Sequence, residues 1–279
     1  MTAPSGEAGV LYVVSTPIGN LADMTLRGLE TLRTVAVVLA EDTRHSRKLL
    51  DHFEIATPLV AHHEHNEAKT TPGLVMRMQR GESMAIITDA GTPLLSDPGA
   101  RLVAAAIAGG VRVVPIPGAS ALLAALVAAG LPAERFTFFG FLERKGKDRE
   151  RAILTIRGLG HTAVLYESPN RLADTLVELR DSGLGARQAA VARELTKQFE
   201  EVRRGTVEEL ARYYADASPR GEIVMVIEGA AREAPTEESM RERARALRAG
   251  GASARDVVTV LTEELGAPRN VAYRLAHEP

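Results

Sequence analysis

The chain has 279 residues, long enough for two domains, and 45% of them are hydrophobic, enough for a sizeable core. Lys and Arg (34) nearly balance Asp and Glu (36), so overall charge names no partner, although a local basic patch would suffice for nucleic acid. Cysteine is absent, which excludes disulfides, iron–sulfur clusters, thiolate zinc and cysteine nucleophiles.

The opening MTAPSGEAG is small and polar, and no run reaches 18 apolar residues, so a soluble cytoplasmic protein is expected. VLYVVS (10–15) precedes the amphipathic TLRGLETLRTV (25–35), AVVLAE (36–41) precedes RHSRKLLDHF (44–53), and PLVA (58–61) precedes a helix expected around 71–80. MAIIT (84–88) passes through a long loop into ARLVAAAIAGG (100–110), and VRVVPI (111–116) into SALLAALVAAG (120–130). These strands are continuous apolar runs, the pattern of a parallel sheet covered on both faces, so the expected class is α/β. Further on, FTFFGF (136–141), TAVLYE (162–167), QAAVARELT (188–196), FEEVRRGT (199–206) and EIVMVIEG (222–229) read as strands, with helices near 147–157 and 169–181. The last strands follow one another closely, which predicts an antiparallel component. PIPGAS (115–120) interrupts the pattern, so the expected domains are α/β over 10–118 and α/β over 119–231, followed by a small helical region over 232–279. There Ser253 and Asp256 form a candidate capping pair. Eight arginines and eight acids balance in that region, so its charge does not argue for nucleic acid, and docking RNA or stabilising a dimer are both open roles.

In an open α/β sheet, ligands collect outside the carboxyl ends of the strands. Five segments there are rich in turn-forming and polar residues: STPIGNLAD (15–23), AEDTRHS (40–46), AHHEHNE (61–67), TDAGTPLLSDPGA (88–100) and PIPGASA (115–121). Any one of them alone reads as turn chemistry; five on one sheet edge read as a site. No GxGxxG follows the first strand and no GxxxxGK[ST] occurs, so a nucleoside with a zwitterionic tail suits the site better than a dinucleotide or triphosphate. Within TDAGTPLLSDPGA, the first half is expected to contact the ligand. In the second half, Ser96 or Asp97 is expected to cap the next helix, with Pro98 in its first turn.

LYVVSTPIGNLADMTLRGLETL, AEDTRHSRKLL, HHEHNE, ITDAGTPLLSDPG, VVPIPGASA, FTFFGFLERK, LYESPNRL, ARELTKQFEEVRRGT and GEIVMVIEG occur in this order over roughly residues 10 to 229. Together they resemble the RsmI family, the 16S ribosomal RNA cytidine 2′-O-methyltransferases of the tetrapyrrole-methylase-like superfamily. The resemblance implies a class III methyltransferase fold of two α/β domains with S-adenosylmethionine (SAM) in the cleft between them, and a homodimer acting on the small ribosomal subunit. It places the cofactor against Pro17, Gly19, Asp89, Gly91, Thr92 and Pro93, with Ser120 and Ala121 at the head of the next helix and Tyr166, Leu195 and Glu222 from the second domain. A side chain at Gly91 would obstruct a close backbone approach.

Transfer of a methyl group from a sulfonium to a ribose 2′-hydroxyl requires collinear alignment and favours a general base, because the hydroxyl is a weak acid. Candidates are Glu41, Asp42, His62, His63, Glu64, His65 and Glu167, with His65 and Asn66 the favoured substrate-side pair. For the acids of AEDTR, an ion pair with Arg44 that fixes the loop weighs equally with a catalytic part. The HHEH spacing does not fit a helical HExxH, so no metal is expected. RKGKDRER (144–151) carries five basic and two acidic groups, a patch for phosphates against the alternative of a solvated helix start. Candidate RNA contacts are Arg44, Arg144, Lys145, Lys147, Arg149 and Lys197, extended by Arg193, Arg203 and Arg204. Two other readings stay open: methylation of a tetrapyrrole or other small acceptor, and a nucleotide-sensing regulator that binds nucleic acid.

Overall fold

Alternate residues of short apolar strands bury on opposite faces, and two separate cores result. The strands are β1 (Val10–Val14), β2 (Val37–Ala40), β3 (Leu59–Ala61), β4 (Met84–Ile87) and β5 (Arg112–Ile116). The helices among them are α1 (Leu26–Thr34), α2 (Thr43–His52), α3 (Glu64–Gln79) and α4 (Ala100–Ala108). All strand pairs are parallel, in the order β3-β2-β4-β1-β5. Leu11, Val37, Leu39, Met84 and Ile86 pack against Leu74 and Met78 of α3 and Leu102 and Ala106 of α4. Val14, Val38, Ala40, Ala85 and Ile87 pack on the other face against Leu29 and Leu32 of α1 and Leu50 of α2. Burial on both faces is why these strands read as unbroken apolar runs.

The next helix, α5 (Ala121–Ala129), turns to a second sheet. Its strands are β6 (Phe136–Phe141), β7 (Thr162–Glu167), β8 (Gln188–Arg193), β9 (Glu201–Thr206) and β10 (Ile223–Ile227), in the order β6-β7-β10-β8-β9. β6 and β7 are parallel; the other three pairs are antiparallel, as the close spacing of the last strands predicts. Leu122, Ala125, Leu126 and Ala129 of α5 cover one face through Val164, Ala190, Ala192, Val224 and Val226, and Ile18 from the β1 loop joins this second core. The other face is covered by α6 (Lys147–Gly158), α7 (Leu172–Leu179) and α8 (Val207–Ala215).

The computed structural model describes residues 8–217, 219–230 and 236–278. Contacts divide the chain into two compact units, one ending at Gly229 and one beginning at Ala230. The junction expected at 231–232 lies outside the described residues. In the second unit, α9 (Glu237–Ala249), α10 (Ala254–Glu263) and α11 (Arg269–His277) enclose Met240, Ala244, Val257, Leu261 and Leu275. Ser253 and Asp256 do form the capping box at the start of α10.

Three elements depart from the sequence reading. The helix expected near 71 begins at Glu64, because the Asn66 side chain accepts the His63 N–H (2.9 Å) and caps a first turn that read as loop. α8 was not foreseen, although Thr206 and Glu209 make a full capping box there. The helix after β4 is capped by Gly99 at φ +118, its N–H bonded to the Glu67 carboxylate at 3.2 Å, and not by Ser96 or Asp97; Pro98 lies before the helix.

Candidate functional site

Parallel strands deliver all their carboxyl ends to one edge, and the loops leaving β1, β4 and β5 are laced together there. Thr16 N donates to Gly91 O at 2.9 Å and Gly91 N to Thr16 O at 3.1 Å. The Thr16 hydroxyl reaches Thr88 O at 3.1 Å, Ser15 Oγ lies 3.2 Å from Thr92 Oγ1, and Thr92 Oγ1 lies 3.3 Å from Ala119 O. This lacing explains the length of TDAGTPLLSDPGA: the segment closes a pocket before it starts a helix. Gly91 sits at φ +83, and a Cβ there would come within 3.3 Å of Ile18. Its glycine therefore answers to backbone conformation and to Ile18, and its N–H and C=O are already spent on Thr16. Leu94 and Ser96 hold φ values of 73 and 70 in the same loop, local strain of the kind that collects at functional sites.

The pocket, about 430 Å³, is walled by both sheets. Ile18, Glu41, Thr88, Asp89, Thr92, Asp97, Ser120 and Ala121 come from the loops after the parallel strands and the start of α5. Phe141, Tyr166, Glu167, Glu222 and Val224 come from the second sheet. The expected residues Glu41, Asp89, Gly91, Thr92, Ser120, Ala121, Tyr166, Glu167 and Glu222 thus meet in one cavity. Pro17, Gly19, Pro93 and Leu195 flank it without lining it: Pro17 and Pro93 are buried, Leu195 packs in the second core, and the Lys197 side chain closes over Gly19. The reading of single loops missed Asp97, Phe141, Ser168 and Gly221. Asp97 was assigned to a helix cap; its place in a loop already full of ligand-type residues was the available signal.

Three carboxylates, Glu41, Asp89 and Asp97, line this pocket, with His63 acting on Glu41 in the opposite sense. Burial pushes the Glu41 carboxyl up, and the charges of Asp97 and Asp89 push it further. Burial likewise raises Asp97, reinforced by the charge of Asp89. The Tyr166 phenol is raised mainly by burial. Asp89 Oδ1 is buried with no hydrogen-bond partner, an acceptor facing a place where a donor or cation belongs. At the rim, Lys197 Nζ binds Glu194 at 2.8 Å and Glu222 at 3.2 Å.

The other candidates stand outside this cavity. Asp42 caps α2, accepting the Arg44 N–H at 2.8 Å and pairing with the Arg44 guanidinium at 3.2 Å, so the ion-pair reading of AEDTR describes Asp42. Asn66 caps α3 and donates to Ala61 O at 3.0 Å, and His65 is exposed on the same first turn beside His63. His62 is buried and its pKa is lowered, chiefly by desolvation. The Thr70 hydroxyl 3.1 Å from its Nδ1 donates to Asn66 O, which assigns the ring proton to Nδ1 and leaves a neutral imidazole. Arg144, Lys145 and Lys147 are exposed, whereas Arg149 is buried and bonded to Glu178 at 2.7 Å, which takes it out of the surface patch. Arg193 and Arg203 both pair with Glu201, and Arg204 donates to Ala129 O. Among the described residues, no group of three or more His, Asp and Glu is arranged to hold a metal ion.

Two five-stranded sheets with a ligand-sized, acid-lined pocket between them define a methylase of the tetrapyrrole type. Residues 10–211 match the family model for Tetrapyrrole (Corrin/Porphyrin) Methylases. The protein is 44% identical over 273 residues to ribosomal RNA small subunit methyltransferase I of Synechocystis sp., covering 97% of this chain and 98% of that one. With the Pseudomonas aeruginosa protein of the same name it shares 50% identity over 225 residues, 80% of each chain. The chain belongs to this family, the small-subunit methyltransferases I within the tetrapyrrole methylases. Among solved structures, uroporphyrin-III C-methyl transferase from Thermus thermophilus complexed with S-adenosyl homocysteine superposes with a TM-score of 0.54. Identity there is 20%, over 79% of this chain and 97% of that one, a likeness of fold. No helix among the described residues is long and apolar enough to cross a membrane.

Proposed function

We propose that the protein is a SAM-dependent ribose 2′-O-methyltransferase that modifies a cytidine of 16S ribosomal RNA in the bacterial cytoplasm. The observation that carries this reading is the acid-lined pocket at the joined strand ends, in a chain whose relatives are named for small-subunit RNA methylation. SAM fits the residues present. It bears two positive centres and one carboxylate, matching the three carboxylates of the lining, the unpartnered Asp89 Oδ1, and Ser120 at the N-terminus of α5. Apolar Ile18, Phe141, Ile223 and Val224 suit an adenosine, and the volume is that of a small-molecule site.

SAM supplies an electrophilic methyl group with its own leaving group. The protein's residues supply alignment and proton acceptance. Glu41, raised above ordinary carboxylate behaviour, is the base for the ribose hydroxyl, since a carboxylate with higher proton affinity is the better acceptor near neutral pH. Exposed Arg144 and Lys145 on the loop before α6, and Lys147 at its first position, hold RNA phosphates. Leu123 (51% exposed) and Val127 (76% exposed), one turn apart on α5, support a homodimer; a monomer at micromolar concentration by sedimentation would contradict it.

The test is transfer of labelled methyl from SAM to purified small subunits, followed by mass mapping of ribose methyls. Label on one 16S cytidine ribose is expected. SAM binding with transfer only to a tetrapyrrole would overturn the RNA reading.

A further inference from the structure

Arg149, a candidate surface phosphate contact by sequence, is 6% exposed, and each of its three guanidinium nitrogens has an acceptor. Its Nε donates to Glu178 Oε2 at 2.7 Å, its Nη1 to Glu143 O at 3.0 Å and its Nη2 to Thr175 Oγ1 at 2.9 Å. The Thr175 hydroxyl has one proton and gives it to Glu167 Oε2, at 2.6 Å. Glu167 is 2% exposed, accepts the Ser168 N–H at 2.8 Å, and lines the pocket described above. Arg171 lies 3.4 Å from the other side of this carboxylate and donates through Nη2 to Leu142 O and Glu143 O at 2.8 and 3.2 Å.

Two linked routes therefore run from a carboxylate in the pocket wall to carbonyls at the root of the loop carrying Arg144 and Lys145: hydrogen bonds through Thr175 and Arg149 to Glu143 O, and the Arg171 ion pair to Leu142 O and Glu143 O. The same residues floor a second, open cavity of about 800 Å³ that shares Phe141 and Ser168 with the first. Beyond its root the loop has little to hold it: Gly146 is at φ +93 with open space around it, and α6 starts without a side-chain cap.

We propose that Arg149 is a positioning residue for the RNA substrate: it holds the 142–146 segment through Glu143 O and, through the Thr175–Glu167 bridge, fixes that segment, and with it Arg144 and Lys145, relative to the pocket wall. Burying ions at this cost makes sense where geometry is the product, because a paired buried network specifies one arrangement. This rests on the RNA methylation reading, and Arg149 itself touches neither RNA nor SAM.

The test uses the full chain with Thr175→Val, which removes the bridging hydroxyl at nearly constant volume, Thr175→Ser, which keeps it, and Arg149→Met. Thr175→Val and Arg149→Met are expected to raise amide exchange at 142–147. Thr175→Val should also raise the RNA KM about tenfold while the SAM Kd stays within about twofold, and Thr175→Ser should restore both readouts. Unchanged loop exchange, an unchanged RNA KM, or a SAM Kd that weakens in step with KM would each overturn it. If Arg149→Met does not fold, the two threonine variants decide. A wild-type protein inert on small-subunit RNA would sink the functional reading and the RNA half of this one. Loop exchange would still decide whether the bridge holds the loop.

Discussion

Glu41 and Asp97 face the same crowd of negative charge but are expected to answer different measurements. Glu41→Gln removes the proposed proton acceptor at constant shape, so kcat should fall about 10²- to 10⁴-fold, with SAM Kd changed far less. In the wild type the rate should fall as pH drops through the raised Glu41 pKa, because the protonated carboxyl no longer accepts a proton. A pH–rate profile of single-turnover methylation checks both; an acid limb surviving in Glu41→Gln would assign the limb elsewhere. Asp97→Asn should weaken SAM on the order of tenfold by calorimetry, the equivalent of one charge-assisted contact. For stability the sign is opposite. The folded-state pKa of Asp97 is raised, so the native protein binds more protons than the unfolded chain between the ordinary and the raised value, and stability falls as pH rises through that window. Asp97→Asn should therefore raise the Tm of the ligand-free protein at pH 7 and have little effect below the ordinary carboxylate range. A lower Tm at pH 7 would refute the burial argument.

At the scale of an element, the start of α3 separates two parts that Asn66 can play. As a cap it accepts the His63 N–H and ties the turn to Ala61 O. Asn66→Ala should then cost roughly 0.5–2 kcal/mol of folding stability, read as a lower urea midpoint, with kcat preserved. A collapse of kcat at unchanged midpoint would return Asn66 to the substrate side. The same first turn shows why HHEHNE resists a reading from sequence. Its polar residues look like loop until the cap is recognised, in which the Asn66 side chain alone accepts the His63 N–H. TDAGTPLLSDPGA shows the converse. Ser-Asp-Pro-Gly has the composition of a helix start, but Glu67, distant in sequence, satisfies the Gly99 N–H and leaves Asp97 for the pocket.

Over the whole molecule the charges nearly cancel, so any hold on RNA must come from an uneven distribution. Arg193, Arg203, Lys197 and Arg44 pair with Glu201, Glu194, Glu222 and Asp42, and Arg149 is buried, which leaves among the candidates Arg204, bonded to backbone carbonyls, and the exposed Arg144, Lys145 and Lys147. Reversing Lys145 and Lys147 to Glu should weaken RNA binding and flatten its dependence on salt, leaving the SAM Kd unchanged. Filter binding across a salt series checks this; loss of SAM affinity as well would point to misfolding.

The α/β class, the order of the strands and of the helices other than α8, the antiparallel turn of the second sheet and the loops at the strand ends were legible in the sequence, because hydrophobic period and turn chemistry are local. The lacing of three loops through Thr16 and Thr92, the meeting of Glu41 with Asp97, and the burial of Arg149 were decided only in the tertiary structure. Each depends on which distant group a polar atom finds, and a charged residue in a basic run looks the same whether it ends in solvent or against Glu178.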